Sequence, residues 1–356
     1  ILLESCKNFL MKRQSNCDKE DLWFLPPLDD DEAQSKPPWP VAAREASLEP
    51  DVWRAAEKEC FRELVAAVQA LVRFGERLKR VPSGIQERFA IDTVSAVLQS
   101  EGTWIGPEQI ALYRTLRTVS GDHARDLARA SWAVRRLLTD RDPTQGDLHA
   151  FLGRTEVELP RQLPGDERPL GDELVALGDR WAAAVERLGD CHRLTRAAFG
   201  FALWRAEGIS PYEDVLEPTI AALAIGARGM APILPVGQGH RFDRHGLKPG
   251  AAGATERLKV FFRAAEAGAL AATLELDRLI AWQERALDVL SDLSGRTPPL
   301  MVAAFLKARV VSAEWLAAEV GCSPVSARRN LKVFDDRGLV REVTGQERYR
   351  FWTAAL

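Results

Sequence analysis

The chain is poor in the residues that usually announce chemistry. Its five cysteines (Cys6, Cys17, Cys60, Cys191, Cys322) form no CxxC pair and no zinc spacing, which excludes a disulfide framework and a structural metal and fits a reducing cytoplasm. There are five histidines. Three of them, His123, His149 and His192, stand apart from other donors, and a metal site needs three or four that converge, so each is expected on a helix surface or at a cap. No cofactor is expected either: neither a G-x-x-x-x-G-K-[ST] nor a G-x-G-x-x-G pattern occurs. Long hydrophobic runs are also missing. The most apolar stretch, Thr219 to Gly237, is interrupted by Arg228, Pro232 and Pro235 and fails as a membrane span. Ile1 to Leu10 carry one cation and no cleavage-site pattern, so a secretory leader is not expected, and Met11 is a candidate start.

What is present is helical periodicity, over a length comfortable for two domains. Residues 1–50 mix an acidic run (Asp29 to Glu32) with proline pairs and read as an extended arm, with Trp23, Phe24 and Trp39 as candidate anchors. From Asp51 to Leu78 the apolar residues Val52, Trp53, Phe61, Leu64, Val65, Val68, Leu71, Val72 and Leu78 recur at helix spacing and predict one long core helix. Further helices are expected from Ile85 to Gln99, from Pro107 through Leu116, and from Asp122 to Leu138, the last with its arginines (125, 129, 135, 136) largely outward; all four read as local and antiparallel. Thr139 to Gly171 carries four prolines and reads as a long surface loop. Helices resume over Asp172 to Leu188, Cys191 to Glu207 and Pro211 to Arg228. After a Gly- and Pro-rich segment to Gly253, two helices are expected between Ala254 and Leu293.

The end of the chain is more specific. Ser312 is placed to cap a helix that stops at Gly321, and Ser323-Pro324 starts another at once, the helix-turn-helix arrangement. In that second helix Ala327, Leu331 and Phe334 make one apolar face and leave Ser326, Arg328, Arg329 and Lys332 on other faces. After Gly338, Leu339 to Val343 and Arg348 to Trp352 alternate like the strands of a hairpin, a wing. From Arg296 to Leu356 ten Lys/Arg face six Asp/Glu, a charge of +4; the whole chain is at −3, so the remainder is at −7. Positive charge is concentrated where an element of groove-entering shape occurs.

Elsewhere one loop invites a catalytic reading. Gly237 to Gly246 holds His240, Asp243 and His245 among glycines, a composition able to cradle a phosphate beside a proton shuttle; the same residue types make an ordinary solvated loop.

The order of parts, a helical body with Ser100-Glu101-Gly102-Thr103 at a helix end followed by a C-terminal winged helix reading Gly338-Leu339-Val340-Arg341-Glu342-Val343-Thr344-Gly345-Gln346-Glu347-Arg348-Tyr349-Arg350, resembles a bacterial family of unknown function. Its members pair a Fic-like helical region with a C-terminal helix-turn-helix DNA-binding domain. Fic enzymes transfer a nucleotide monophosphate with an H-P-F-x-[DE]-G-N-G-R loop. Here His240-Arg241-Phe242-Asp243-Arg244-His245-Gly246 keeps a His and a Phe but lacks the Asn-Gly-Arg that holds phosphates, and Val97 stands four residues before Glu101, where the family's inhibitory motif has Ser or Thr. The resemblance therefore implies a catalytically silent body carrying a DNA-binding tail.

These readings combine into a mainly α-helical protein: an arm (1–50), a degenerate Fic-like helical domain (51–293) and a winged helix-turn-helix with a small β-hairpin (296–356). The expected function is regulation of transcription through double-stranded DNA, with no membrane partner and a body that dimerises or senses an effector. Ser326, Arg328 and Arg329 would face base edges, and Lys332, Arg348 and Arg350 phosphates. The alternatives are a nucleotidyl (AMP) transferase around His240 and a protein-interaction adaptor.

Overall fold

The structure, a computed structural model, describes residues 48–116, 123–139, 141–154, 168–211, 213–235, 253–345 and 349–356. The arm up to residue 47, the His240 loop and Arg348 lie outside them. Among the described residues the protein is mainly helical, with thirteen helices and three short strands. The body comprises α1 (Pro50–Glu59), α2 (Phe61–Leu78), α3 (Ile85–Ser100), α4 (Pro107–Leu116), α5 (Ala124–Leu137), α6 (Leu148–Leu152), α7 (Gly171–Glu186), α8 (Arg193–Glu207), α9 (Leu216–Ala227) and α10 (Ala254–Val289). The C-terminal module runs α11 (Thr297–Lys307), β1 (Val311–Ser312), α12 (Ala313–Val320), α13 (Pro324–Asp336), β2 (Val340–Glu342) and β3 (Phe351–Ala354).

Aromatic contacts join helices in the core, some consecutive in the chain and some far apart. Trp53 packs edge-on against Phe199 at 5.4 Å, Trp181 against Trp204 at 5.2 Å and Phe74 against Phe89 at 5.2 Å, all of these side chains being buried. A further chain, Trp282 to Phe305 at 6.0 Å and Phe305 to Phe334 at 6.2 Å, carries the same core from α10 through α11 into α13.

Several elements differ from the sequence expectation. The long helix from Asp51 is two, broken at Cys60, whose backbone (φ −99°, ψ 16°) leaves the helix while its N–H still bonds Ala56 O at 3.0 Å. Val52, Phe61 and Val72, expected in the core, are exposed; Val52 and Val72 directly adjoin the buried Trp53 and Leu71, and successive residues of a helix do not share a face. Ala254 to Leu293 is the reverse case, one helix of 36 residues where two were expected. Its buried Gly268 lies among Ala264, Ala265, Ala269 and Ala272, a stretch that keeps helical φ/ψ and gives a smooth surface for close packing. Nor are the first helices only local partners: α2 lies along α10, nearly two hundred residues away in the chain, and α3 packs on α5. The described part of the expected loop after Thr139 is only partly on the surface. Asp147 caps α6 by accepting from His149 N at 2.8 Å, and Leu148, Phe151 and Leu152 are buried.

In the C-terminal module the expected hairpin is a three-stranded antiparallel sheet of order β1-β3-β2, with Val311 opposite Trp352, Ser312 opposite Phe351 and Arg341 opposite Thr353. The added strand is only two residues long, too short for an alternating pattern to show in sequence.

Candidate nucleic-acid interface

The turn between α12 and α13 is fixed by local chemistry. Ser312 Oγ accepts from Trp315 N at 3.1 Å to start α12, and Gly321 ends it in the left-handed region (φ 71°), where a side chain would be strained. Cys322 N reaches back to Ala317 O at 3.0 Å, and Ser323 Oγ accepts from Ser326 N at 3.1 Å, so α13 begins two residues after α12 has closed, with Pro324 in its first turn.

The inner face of α13 is Ala327, Asn330, Leu331 and Phe334, all buried, and the Asn330 amide donates to Ser326 O at 2.9 Å. Ser326 is consequently half-buried beside its own helix backbone. Opposite this face run Val325, Arg329 and Lys332, at i, i+4 and i+7, all exposed. Arg329 and Lys332 make no ion pair among the described residues. Arg328 sits on the flank and donates to Glu314 of α12 at 2.6 Å. Of the six residues expected to meet DNA, the structure therefore brings Ser326, Arg328, Arg329 and Lys332 together on one helix, ties Arg328 to an acid, and places Arg350 exposed at the entry to β3.

The turn that follows β2 is ordered by Glu342. Its carboxylate accepts from the backbone N of Thr344 at 2.8 Å and of Gly345 at 2.8 Å, and from the Thr344 hydroxyl. Against a burial that would raise it, these bonds hold the Glu342 carboxyl below the usual carboxylate range. Tyr349 follows with φ 58° and is 80% exposed, a bulky residue in the left-handed region at the wing's return.

Sequence reasoning gave no hint of how the module is held. Arg337 at the end of α13 makes a two-pronged pair with Asp292 (2.6 and 2.8 Å) and also donates to Val289 O. Trp282 Nε1 donates to Leu339 O at 2.8 Å, Arg285 to Ala355 O at 2.8 Å, and the buried Arg88 of α3 to Phe305 O at 3.2 Å. Arg309 pairs with Asp92 at 3.0 Å. Arginines counted in sequence as free positive charge are thus partly spent on the body, whereas Arg329 and Lys332 on the outer line of α13 make no ion pair among the described residues.

A second constellation lies in the body. Glu101, whose side chain is 5% exposed, accepts from Val215 N at 2.7 Å and Leu216 N at 2.6 Å, so it caps α9 from the far end of α3. Arg129 spans Glu101 (3.2 Å) and Asp214 (3.0 Å); Arg168 spans Asp214 and Glu217, both at 2.6 Å; and Arg154 joins Glu217 and Ile209 O. Arg129 is therefore inward, not on the solvated face expected of its helix. Burial pushes the Glu101 carboxyl up to about 7, the neighbouring Asp214 charge acting the same way and Arg129 and the two backbone N–H groups opposing. Partners so far apart in the chain leave no local pattern to read.

Two of the histidines hold local backbone: His192 Nδ1 caps α8 by accepting from Leu194 N at 3.2 Å, and His149 lies between Arg154 O and Gly171 O. Among the described residues no group of three or more His, Cys, Asp or Glu is arranged to hold a metal, and no helix is long and apolar enough to cross a membrane.

No family model matches the chain, and no curated protein matches it. Among solved structures it is similar to the crystal structure of a Fic family protein from Desulfovibrio desulfuricans G20, at 16% identity, covering 82% of this chain and 95% of that one with a TM-score of 0.45. A likeness at that level does not carry a function across.

Proposed function

We propose that the protein binds double-stranded DNA through its C-terminal winged helix and acts as a transcriptional regulator, with the helical body serving dimerisation or sensing. One observation carries this reading: Arg329 and Lys332, two exposed cations with no acidic partner among the described residues, lie on the outer line of a capped helix whose opposite face is locked in the core. Such a helix enters a major groove N-terminus first. Arg329, in the second turn, is placed for a paired contact with guanine O6 and N7. Lys332, a turn further on, and Arg350 beside the wing are placed for phosphates. Arg328 is held by Glu314 and contributes less than its neighbour. The test is a competition assay at fixed salt on one selected duplex and its scrambled version. Arg329→Ala is expected to weaken binding to the selected site more than to the scrambled one, and Lys332→Ala to weaken both equally. Equal losses on both duplexes for Arg329→Ala, or no duplex binding by the wild type, would remove the reading.

A second reading, nucleotidyl (AMP) transfer by the body, draws on the Glu101–Arg129 pair, a carboxyl pushed to about 7 beside a guanidinium. Every short contact that Glu101 makes is already used to close α9 onto α3 and α5, which is the behaviour of a lock. His240, Asp243 and His245, the loop this chemistry would need, lie outside the described residues. Labelled ATP offered to the protein and a cell extract decides it: label transferred by the wild type and lost in His240→Ala would establish the transferase.

A further inference from the structure

The outer line of α13 contains one residue that charge does not explain. Val325 is 73% exposed, the most exposed aliphatic side chain among the described residues. It occupies the first turn, one turn before Arg329 and two before Lys332, on the side opposite Ala327, Leu331 and Phe334. Helix stability does not call for valine there, since a β-branched residue at an exposed helical position is less favourable than alanine or a long polar side chain. No described residue covers it, and under the DNA-binding reading it stands in the turn of the helix that would meet base edges.

We infer that Val325 reads the 5-methyl group of a thymine in the major groove. This rests on the DNA-binding reading and deepens it, by naming a base and the atom recognised. The thymine methyl is the only apolar group on the major-groove edge of the bases, and it is matched by an apolar side chain with no hydrogen-bonding demand of its own. Valine in a helix holds essentially one rotamer, so its two methyl groups are presented with little entropy left to lose. Side chains at i and i+4 are about 6 Å apart. Successive base pairs are separated by about 3.4 Å. The thymine is therefore expected within one or two base pairs of the guanine met by Arg329.

The experiment uses the full chain. Duplexes are selected for tight binding, and each thymine of the selected site is then replaced singly by deoxyuridine, which removes only the methyl. The wild type is expected to lose about three- to fourfold in affinity at one thymine per module, the worth of burying one methyl-sized group. Val325→Ala, a change that favours the helix, is expected to bind the uridine and thymine duplexes alike. A wild type indifferent to every replacement, or a Val325→Ala protein that still distinguishes the two, would overturn the assignment while leaving DNA binding intact. A selection that enriches no site at all would overturn both.

Discussion

Replacing Glu101 with alanine should loosen the body at the joint between α3, α5 and α9. Glu101 Oε1 accepts from Val215 N and Leu216 N, and Arg129 Nη2 lies within 3.3 Å of both carboxylate oxygens. Removing the side chain leaves two buried N–H groups without an acceptor, each costing about 1–3 kcal/mol. Arg129 keeps Asp214, so the full penalty of a stranded charge, about 3–5 kcal/mol, is not added on top. The expected loss is about 3–4 kcal/mol for alanine. Glu101→Gln preserves the oxygen that caps α9 but turns an amide toward Arg129, and should cost about 1–2 kcal/mol. Urea titration followed by tryptophan fluorescence at pH 7.5 reads both, supported by thermal melting. The pH dependence supplies a second arm. Burial raises the Glu101 carboxyl from its ordinary 4.5 to about 7, so the folded state holds the proton more tightly than the unfolded one. Its contribution is fully present below about pH 4.5 and is lost as the pH rises through 7. The margin of the wild type over Glu101→Gln should accordingly be larger at pH 5 than at pH 7.5. Glutamine and alanine losing equally, alanine losing less than about 1 kcal/mol, or a margin that grows with pH would each refute the assignment of Glu101 as a buried lock.

Three further outcomes are expected. DNA affinity should fall with salt with a log–log slope of about −3 per module if Lys332, Arg348 and Arg350 meet phosphates; a flat titration would remove the electrostatic model. A methyl at buried Gly75 would overlap Met230 O and crowd the Ala231 backbone, so Gly75→Ala should lower stability by about 1–3 kcal/mol despite its better helix propensity, as checked by denaturant midpoint. Trp282→Ala should cost about 3–5 kcal/mol and speed limited proteolysis between Leu293 and Thr297, because it removes the ring that joins Phe305 to α10. Trp282→Phe should be milder, since Leu339 O keeps a second donor in Ala355 N.

The pair of helices α12 and α13 could be read from the sequence because it is built by short-range rules. Ser312 and Ser323 as caps, Gly321 at the left-handed position, Pro324 in the first turn and the spacing of Ala327, Leu331 and Phe334 each act over a few residues, and all are found where the pattern put them. Val325 is equally legible in the sequence, as the one apolar residue on the line of Arg329 and Lys332. The mainly helical class followed from periodicity in the same way. What tertiary structure alone decided is which cations are free. Arg328 and Glu314, Arg337 and Asp292, and Arg129 with Glu101 and Asp214 pair across 14 to 85 residues of chain, and no local pattern encodes such a meeting. The same holds for the break at Cys60 and the unbroken α10. A helix ends or continues according to what packs on it, and propensity differences of about 1 kcal/mol or less per residue are small beside the burial of a helix face.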